Sequence, residues 1–340
     1  MPQRGLDSDG RVSRRVKLRD LHILRNVVEL GSMAKAASQL GITQPTISEA
    51  IADLEQAVGV RLLDRGPDGV VPTVYGQAFL KRGLEAFDAI KQGIRDVEFL
   101  ATPGAGDVLI GCSEILLGGF VPDLIQRLAD NHPKIIVHAT EINAADFDFK
   151  QLRERKLDLI LGRMINSKVD NDLSVELLFT EAMSIVVGSG NRWAKHRKIA
   201  LSDLMDEPWI FGEPNNFVQA LVSQVFRAGG LGLPKIGLVT TSMQLRLPLI
   251  ATGKYISAVP NSLLRNTAER WSLKALPIDL GLELSVGIFT LKNRTLSPVV
   301  QVFIDTARSI CKAMANDKKK SGTDTPRSIT SQDRTRVRVR

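Results

Sequence analysis

The sequence predicts an all-α head, one long helix and then a larger α/β domain. Three patterns support this prediction. Apolar residues between positions 18 and 58 recur at helical spacing, in short segments that end at glycine. From Val74 to Ala101 an apolar stripe continues at alternating steps of three and four residues. Beyond residue 105 short apolar strands alternate with helical segments, and 340 residues are enough for two or three domains.

The composition excludes an integral membrane protein. The apolar fraction is 44% and the charged fraction 24%, which is ordinary for a globular domain. No apolar run approaches the roughly 18 residues that cross a bilayer. Residues 1–17 are polar and rich in arginine, and they lack the apolar stretch of a secretory signal. We therefore expect a cytoplasmic protein with no membrane partner.

The net charge of +8 suggests a nucleic-acid partner, but the charge lies in the two tails. Residues 1–20 carry a net charge of +3, residues 312–340 carry +6, and the remaining 291 residues carry −1. A basic tail is either a solvated end or a contact to DNA, so the case for DNA must rest on pattern.

The first three helices are bounded by cap signals. We predict helices over Leu18–Leu30 and Met33–Leu40, the second one capped by Ser32, with glycines 31 and 41 at their ends. A third helix follows Thr43 as its N-cap, has Pro45 in its first turn and ends at Gly59. This arrangement is typical of a helix-turn-helix, whose second helix enters the major groove of DNA.

The N-terminal face of the third helix is polar. Thr43, Gln44, Thr46 and Ser48 are short hydrogen-bonding residues of the kind that contact base edges and phosphates. The alternative is a three-helix bundle without a ligand. Turn residues at 66–69 then predict a short hairpin between Leu62 and Thr73, where a wing would lie.

The long helix over Val74–Ala101 presents its stripe to a partner helix or to its own domain. Residues 102–106 form a hinge. Beyond it we predict a parallel sheet with helices on both faces, including one helix from about Ile115 to Asn131 and a last helix over Pro298–Met314.

Residues 18–76 resemble the winged helix-turn-helix of LysR-type transcriptional regulators. The resemblance rests on these residues: Gly31-Ser32-Met33, Ala36-Ala37, Leu40, Thr43-Gln44-Pro45-Thr46-Ile47-Ser48, Leu54-Glu55, the run from Gly59 to Arg65, Thr73 and Gly76. This chain has Glu49 where the family often has a basic residue. It also lacks a second arginine in the wing, where Gly66-Pro67-Asp68-Gly69 stands.

The resemblance implies roles for individual residues. Thr43, Gln44, Pro45, Thr46 and Ser48 would form the DNA-reading face. Arg65 in the wing would reach the DNA backbone or minor groove. Ser32 would contact a phosphate at a helix N-terminus. The long helix would make an antiparallel dimer contact that spaces two reading heads.

The remainder resembles the effector domain of the same family, a two-lobed α/β fold like that of periplasmic binding proteins. The marks of this match are His132-Pro133, residues 157–162 and Val259-Pro260. The resemblance implies strand crossings between the lobes near residues 179–182 and 282–285. A small molecule bound between the lobes would shift the DNA-bound conformation and the contact with RNA polymerase, in a homodimer or homotetramer.

These patterns divide the chain into five parts. They are a basic extension (1–17), the winged helix-turn-helix (18–76), the linker helix and hinge (77–104), the effector domain (105–315) and a disordered basic tail (316–340). Lobe 1 takes about 105–180 and 284–315, and lobe 2 takes about 181–283.

Polar residues that follow the carboxyl ends of predicted strands are candidates for effector binding, because open α/β sheets bind ligands there. The candidates are Ser113, Asn143, Glu213, Thr240, Thr241 and Ser242. Either these side chains converge on a small polar effector, or each hydroxyl only caps its own helix. An organic acid is favoured, and the nearby acids Glu141 and Glu213 leave a sugar as the alternative.

No catalytic or metal-binding motif is present in the sequence. The two cysteines cannot build a disulfide framework, and the four histidines lack metal-ligand spacing. We interpret Asp158 as a capping or interlobe residue rather than a base. We therefore predict a regulator with no cofactor and no enzymatic activity. The alternative is a two-lobed solute receptor or an enzyme on the same fold, which would lack residues 18–76.

Overall fold

The computed structural model describes residues 16–67, 69–142, 149–164, 169–214 and 216–320. The chain divides into two compact units between Ala101 and Thr102. None of the described helices is both long and apolar enough to cross a membrane. The predicted basic extension lies almost wholly outside the described residues, and so does the tail beyond residue 320.

Unit 1 is a helical domain with a two-stranded hairpin. Its elements are α1 (Leu18–Leu30), α2 (Met33–Leu40), α3 (Gln44–Val58), β1 (Leu63–Gly66), β2 (Gly69–Pro72) and α4 (Val74–Ala101). The three short helices and the long one have the predicted bounds. Leu24, Val27, Ile47 and Ile51 are fully buried where α1, α2 and α3 meet. Burial of apolar side chains on one stripe of each helix therefore fixes this part of the fold.

Unit 2 is an α/β domain of two lobes. Lobe 1 begins with β3 (Ala105–Cys112), α5 (Glu114–Gly118), α6 (Phe120–Asn131), β4 (Lys134–Glu141), α7 (Lys150–Arg153) and β5 (Leu159–Arg163). The prediction of one helix from Ile115 to Asn131 is wrong, because the chain breaks at Gly119. A Cβ atom on Gly119 would lie 2.9 Å from Ser262 Oγ and 3.0 Å from Ile115 O. The close approach of Ser262 therefore requires a residue without a side chain at this break.

Lobe 2 follows, and the chain then returns to lobe 1. The crossing strand β6 (Leu173–Gly188) leads into β7 (Trp209–Phe211), α8 (Phe217–Ala228), β8 (Ile236–Val239), α9 (Met243–Ala251), β9 (Ser257–Pro260), α10 (Asn261–Thr267) and β10 (Leu273–Ala275). The crossing strand β11 (Glu283–Leu291) and α11 (Pro298–Lys320) complete lobe 1. The last helix continues past Met314 to Lys320, so residues 316–320 are helical rather than part of a disordered tail.

Two antiparallel strands connect the lobes. The strand β6 pairs with β11 over residues 173–182, and with β9 over residues 183–186. The pairs Thr180↔Ser285 and Ala182↔Glu283 lie at the crossing, within the two predicted crossing segments.

The large sheet is mixed rather than parallel as predicted. The strand β3 pairs in parallel with β4 and with β5, whereas β11 runs antiparallel to both β5 and β6. The cause is the topology. A chain that leaves lobe 1 along one strand and returns along its neighbour must run antiparallel to it.

Both faces of the lobe 1 sheet are covered. Along β3, Val108 and Ile110 are fully buried, while Leu109 packs against the cluster around Leu152 and Phe289 on the other face. This alternation has the period of two that a strand between two layers requires.

Asp158 is a structural residue inside lobe 1, which corrects the capping or interlobe interpretation. One of its carboxylate oxygens accepts a hydrogen bond from Arg294 at 2.9 Å, and the other accepts one from the Leu109 amide at 2.9 Å. Arg294 also donates to the carbonyl of Leu157. The Asp158 and Arg294 side chains are both 2% exposed, so the pair is a buried ion pair that ties α11 and its preceding loop to the sheet.

Candidate nucleic-acid interface and effector cleft

The reading face of α3 begins with a capped turn. The Thr43 hydroxyl accepts a hydrogen bond from the Thr46 amide, and the two hydroxyl groups lie 2.9 Å apart. Thr43, Gln44 and Pro45 are exposed, and Thr46 is half-buried. This cap provides a hydrogen-bond partner for a backbone amide in the first turn of the helix. Gln44, beside the cap, is exposed to solvent.

Ser48 differs from the other residues of this face. Its hydroxyl donates to the sulfur of Met33 at 3.6 Å, and the residue is half-buried against α2. Ser32 is also half-buried, and its hydroxyl accepts a hydrogen bond from the Lys35 amide as the cap of α2. The structure therefore leaves Gln44 more available to DNA than Ser48.

The hairpin is held in place as a wing by backbone contacts. The Val70 amide donates to the carbonyl of Gly31 at 2.9 Å, so β2 docks on the turn between α1 and α2. The Glu55 carboxylate accepts hydrogen bonds from the amides of Leu62 and Leu63, which fixes the start of β1 to α3. Arg65 is exposed on the hairpin, where the predicted contact to DNA requires it.

Two acidic side chains of α3 lie on the surface, and one of them, Glu49, stands where the family often has a basic residue. Glu49 and Asp53 are both exposed on α3. Residues 21–100 hold eight Lys or Arg and ten Asp or Glu, a net charge of −2. A net charge of −2 provides little electrostatic attraction to phosphates.

The long helix α4 exposes its apolar stripe in the second half. Ile90, Ile94 and Val97 are 45%, 55% and 64% exposed. Leu100 is exposed beside them. An exposed apolar stripe of this length on a helix is typical of a surface that packs against another chain.

In unit 2 the first residues of α5 and of α9 meet across the lobes. The carboxylate of Glu114 accepts hydrogen bonds from the Met243 amide at 3.0 Å and from the Gln244 amide at 3.2 Å. Ser113 and the segment Thr240–Ser242 directly precede the two residues in this contact, Glu114 and Met243.

The candidate effector residues have different environments. Ser113 precedes α5 but does not cap it, and it is half-buried. Ser242 caps α9 by accepting from the Leu245 amide, and Thr240 accepts from the Ser242 amide. Glu213 is exposed. Asn143 lies outside the described residues.

A cavity of about 50 Å³ lies at the lobe 2 side of this region. Apolar walls dominate it, and Thr241 is the one residue of the predicted effector set on its lining. Its lining comprises Ile115, Met183, Ile210, Phe211, Gly212, Asn216, Val218, Gln219, Val222, Thr241, Met243, Arg246, Ala258 and Pro260. Since Ile115 comes from lobe 1 and the others from lobe 2 or the crossing strands, the cavity opens at the interlobe boundary.

Arg246 is the charged group of this lining. It is 7% exposed, and its guanidinium donates to the carbonyl of Thr240. Burial lowers the pKa of Arg246 to about 10, and the carboxylate of Glu114 opposes that shift. A pKa of about 10 leaves the guanidinium positively charged at neutral pH.

Sequence reasoning missed Glu114 and Arg246. An acid in the first turn of a helix normally stabilises its own helix, so nothing in the sequence indicates that Glu114 caps α9 instead. Arg246 occupies a helix position at which an exposed arginine is common. Among the described residues no cluster of His, Cys, Asp or Glu could hold a metal ion.

These features define a two-part molecule: a winged helix-turn-helix head built to read DNA, and a two-lobed domain with a cleft. The family model for the bacterial regulatory helix-turn-helix of the lysR family matches residues 18–77, and that for the LysR substrate binding domain matches residues 101–312. The chain belongs to the LysR family of transcriptional regulators. It is a DNA-binding regulator with an effector-binding domain, which confirms the predicted class and fold.

Individual relatives are similar to this chain over most of its length. An uncharacterised HTH-type regulator of Escherichia coli, YdcI, is 25% identical over 89% of this chain and 98% of its own length. BenM of Acinetobacter baylyi is 30% identical over 73% of this chain and 81% of its own. The structure of full-length CbnR with its target DNA covers 86% of this chain and 99% of its own, with 21% identity and a TM-score of 0.58, and shares the fold.

Proposed function

We propose that this regulator reads promoter DNA mainly through Gln44, with Thr43, Pro45 and Thr46 beside it on the N-terminal face of α3. Arg65 in the wing and Ser32 at the start of α2 contact the DNA backbone. The exposure of Gln44 and Arg65 supports this assignment. Ser48 contributes less, because its hydroxyl is already directed at Met33. Such a protein acts on the chromosome, so we place it in the cytoplasm and assign it no catalytic role.

We also propose that the protein is a homodimer through α4, which can pair further into a tetramer. The exposed stripe of Ile90, Ile94 and Val97 supports this, since water contact with so much apolar surface is unfavourable. Ile94→Asp should dissociate the dimer in sedimentation velocity, whereas Lys81→Asp, at an exposed position on the opposite side of α4, should not.

The effector domain binds a small polar molecule between its lobes, an organic acid or a sugar, and so shifts the DNA-bound conformation and the contact with RNA polymerase. The observation that supports the site is the contact of Glu114 with the start of α9. Ser113, whose hydroxyl does not cap α5, directly precedes Glu114 in the chain, and the Thr240–Ser242 segment directly precedes Met243, which supports a shared binding region next to the cavity lined by Thr241.

The test uses the full-length protein and the promoter fragment upstream of its own gene. We expect the wild-type protein to shift this fragment in a gel, and a screen of small acids and sugars by thermal shift to give an effector. Ser113→Ala and Thr241→Val should abolish the effector response and leave operator binding intact. Ser202→Ala, at an exposed serine of lobe 2, is the control. Normal effector affinity in both variants would place the pocket elsewhere.

A further inference from the structure

Glu114 forms an unusual contact, because a side chain of one lobe caps a helix of the other. Both carboxylate oxygens lie 3.0 Å from the Met243 amide nitrogen. The nine-residue helix α9 begins there, and the partial positive charge of its N-terminus makes this a favourable position for an anion. The protein's own carboxylate therefore occupies the position that the acid group of a ligand would take.

One turn further along α9, Arg246 lines the adjoining cavity. The nitrogen nearest its aliphatic chain, Nε, is buried there. Within the part of the chain that the structure describes, its Nε atom has no hydrogen-bond partner. Arg246 is nonetheless buried, with 7% of the residue exposed to solvent. A buried cation that lacks a full set of partners is destabilising, and an anion that enters the cavity would relieve this.

Besides Arg246 and Thr241, the polar side chains of the lining are Gln219 and Asn216, and both already form hydrogen bonds within the protein. The Gln219 side chain accepts from the Gly212 amide and donates to Ser223, and the Asn216 side chain accepts from the amides of Val218 and Gln219. Few groups remain for the many hydroxyls of a sugar. The remaining walls are apolar, including Ile210, Phe211, Val222 and Met243.

We propose that this cavity binds a small monocarboxylate with a short apolar chain, whose carboxylate pairs with Arg246 and displaces Glu114 from α9. Glu114 is thus a built-in competitor that holds the lobes together until the ligand replaces it. Because Ile115 lines the cavity directly after Glu114, release of Glu114 also enlarges the cavity. The proposal rests on the effector function assigned above and names its ligand class and its regulation.

The experiment is calorimetric titration of the full-length protein with butyrate, and with butyramide as the uncharged probe. Glu114→Gln keeps the size of the side chain but removes its charge and one of its acceptor oxygens. We expect this variant to bind butyrate about ten-fold more tightly than wild type, within the range usual for coupled sites. Glu269→Gln, which removes an exposed carboxylate of lobe 2, should bind like wild type. Butyramide should bind to none of them.

Arg246→Met should abolish butyrate binding. If this variant does not fold, Arg246→Lys, which keeps the charge but shortens its reach, should weaken binding about ten-fold. Equal butyrate affinity in wild type and Glu114→Gln would show that Glu114 is only a structural cap, and unchanged affinity in the Arg246 variants would place the ligand elsewhere. Absence of butyrate binding in every form would overturn the ligand class. Operator binding and the Ser113 and Thr241 variants, measured separately, would still decide the regulator function.

Discussion

Side chains on the predicted DNA-reading face differ in whether they already form hydrogen bonds within the protein. The hydroxyls of Thr43 and Thr46 contact each other and hold the first turn of α3. The hydroxyl of Ser48 is directed at Met33. Within the described part of the chain the Gln44 side chain forms no such contact, and it is exposed beside them. A side-chain amide in solvent can form two hydrogen bonds with a base edge at once.

Gln44→Ala should therefore lower the ratio of specific to non-specific DNA affinity, since each lost base contact is worth about 1–3 kcal/mol. The measurement is a titration of operator and of random-sequence DNA by fluorescence anisotropy. Gln56→Ala is the matched control, because Gln56 is an exposed glutamine in the C-terminal half of the same helix. Unchanged selectivity after Gln44→Ala would make Gln44 an ordinary surface residue.

The two cysteines are expected to be inert. Burial, reinforced by Glu141, raises the pKa of the Cys112 thiol to about 12, and burial, reinforced by Glu176, raises the pKa of the Cys311 thiol to about 12. At pH 8 both thiols stay protonated, and the thiolate is the reactive form. A disulfide reagent should label neither cysteine in the native protein and both in 6 M guanidinium chloride, a concentration of the order that unfolds even very stable domains. Rapid labelling of the native protein would contradict this.

At the scale of elements, the wing depends on one close backbone approach. Gly69 has a φ of +119°, and a Cβ atom there would lie 2.5 Å from the carbonyl oxygen of Gly31. The neighbouring Val70 amide donates to that same oxygen. Any side chain at position 69 therefore separates the wing from the turn between α1 and α2.

Gly69→Ala should displace the wing and weaken binding to all DNA sequences about ten-fold, because backbone strain of this kind costs about 1–3 kcal/mol and is relieved by movement of the hairpin. Gly66→Ala is the control, since a Cβ atom at Gly66 meets nothing within 4 Å. Binding isotherms on operator and random DNA measure both variants. Equal affinities for the two variants would show that the position of the wing does not matter for binding.

The helices of unit 1 could be predicted to the residue, whereas α5 and α6 could not be separated. In unit 1 the helices α1, α2 and α3 each end at a glycine, and Ser32 and Thr43 cap α2 and α3, so the signal is local. The break at Gly119 instead arises where α10 approaches, with the Asn266 side chain donating to the Gly119 carbonyl. Gly118-Gly119 and Pro122 are local residues that allow a break here, whereas the contact with α10 exists only in the folded chain.

At the scale of the whole molecule, the positive charge lies mostly at the two ends of the chain. Residues 1–17 hold five Lys or Arg and two Asp, and residues 321–340 hold five Arg and two Asp, so the two ends are matched in charge. The DNA-reading head itself is slightly acidic. We therefore expect one of these two ends to provide the electrostatic attraction to DNA phosphates.

Deletion of residues 1–17 should weaken DNA binding across all sequences and flatten its salt dependence, since each phosphate contact contributes about 0.9 to the slope. Deletion of residues 321–340 removes the same charge from the opposite end of the chain and should change the slope less. Affinity measured over a series of salt concentrations distinguishes the two. An unchanged slope after the N-terminal deletion would mean that this arm is only solvated.

The sequence by itself determined the family, the order of the domains and the elements of the DNA-reading head. Caps, terminal glycines and apolar stripes act within a few residues, so they can be recognised without knowing the fold. Only the tertiary structure decided that the large sheet is mixed, that Asp158 pairs with Arg294 and that Glu114 caps α9. Each of these depends on contacts between residues about 130 or more apart in sequence or on the direction of the returning strand. Such contacts form only when the chain has folded, and the sequence near either partner does not encode them.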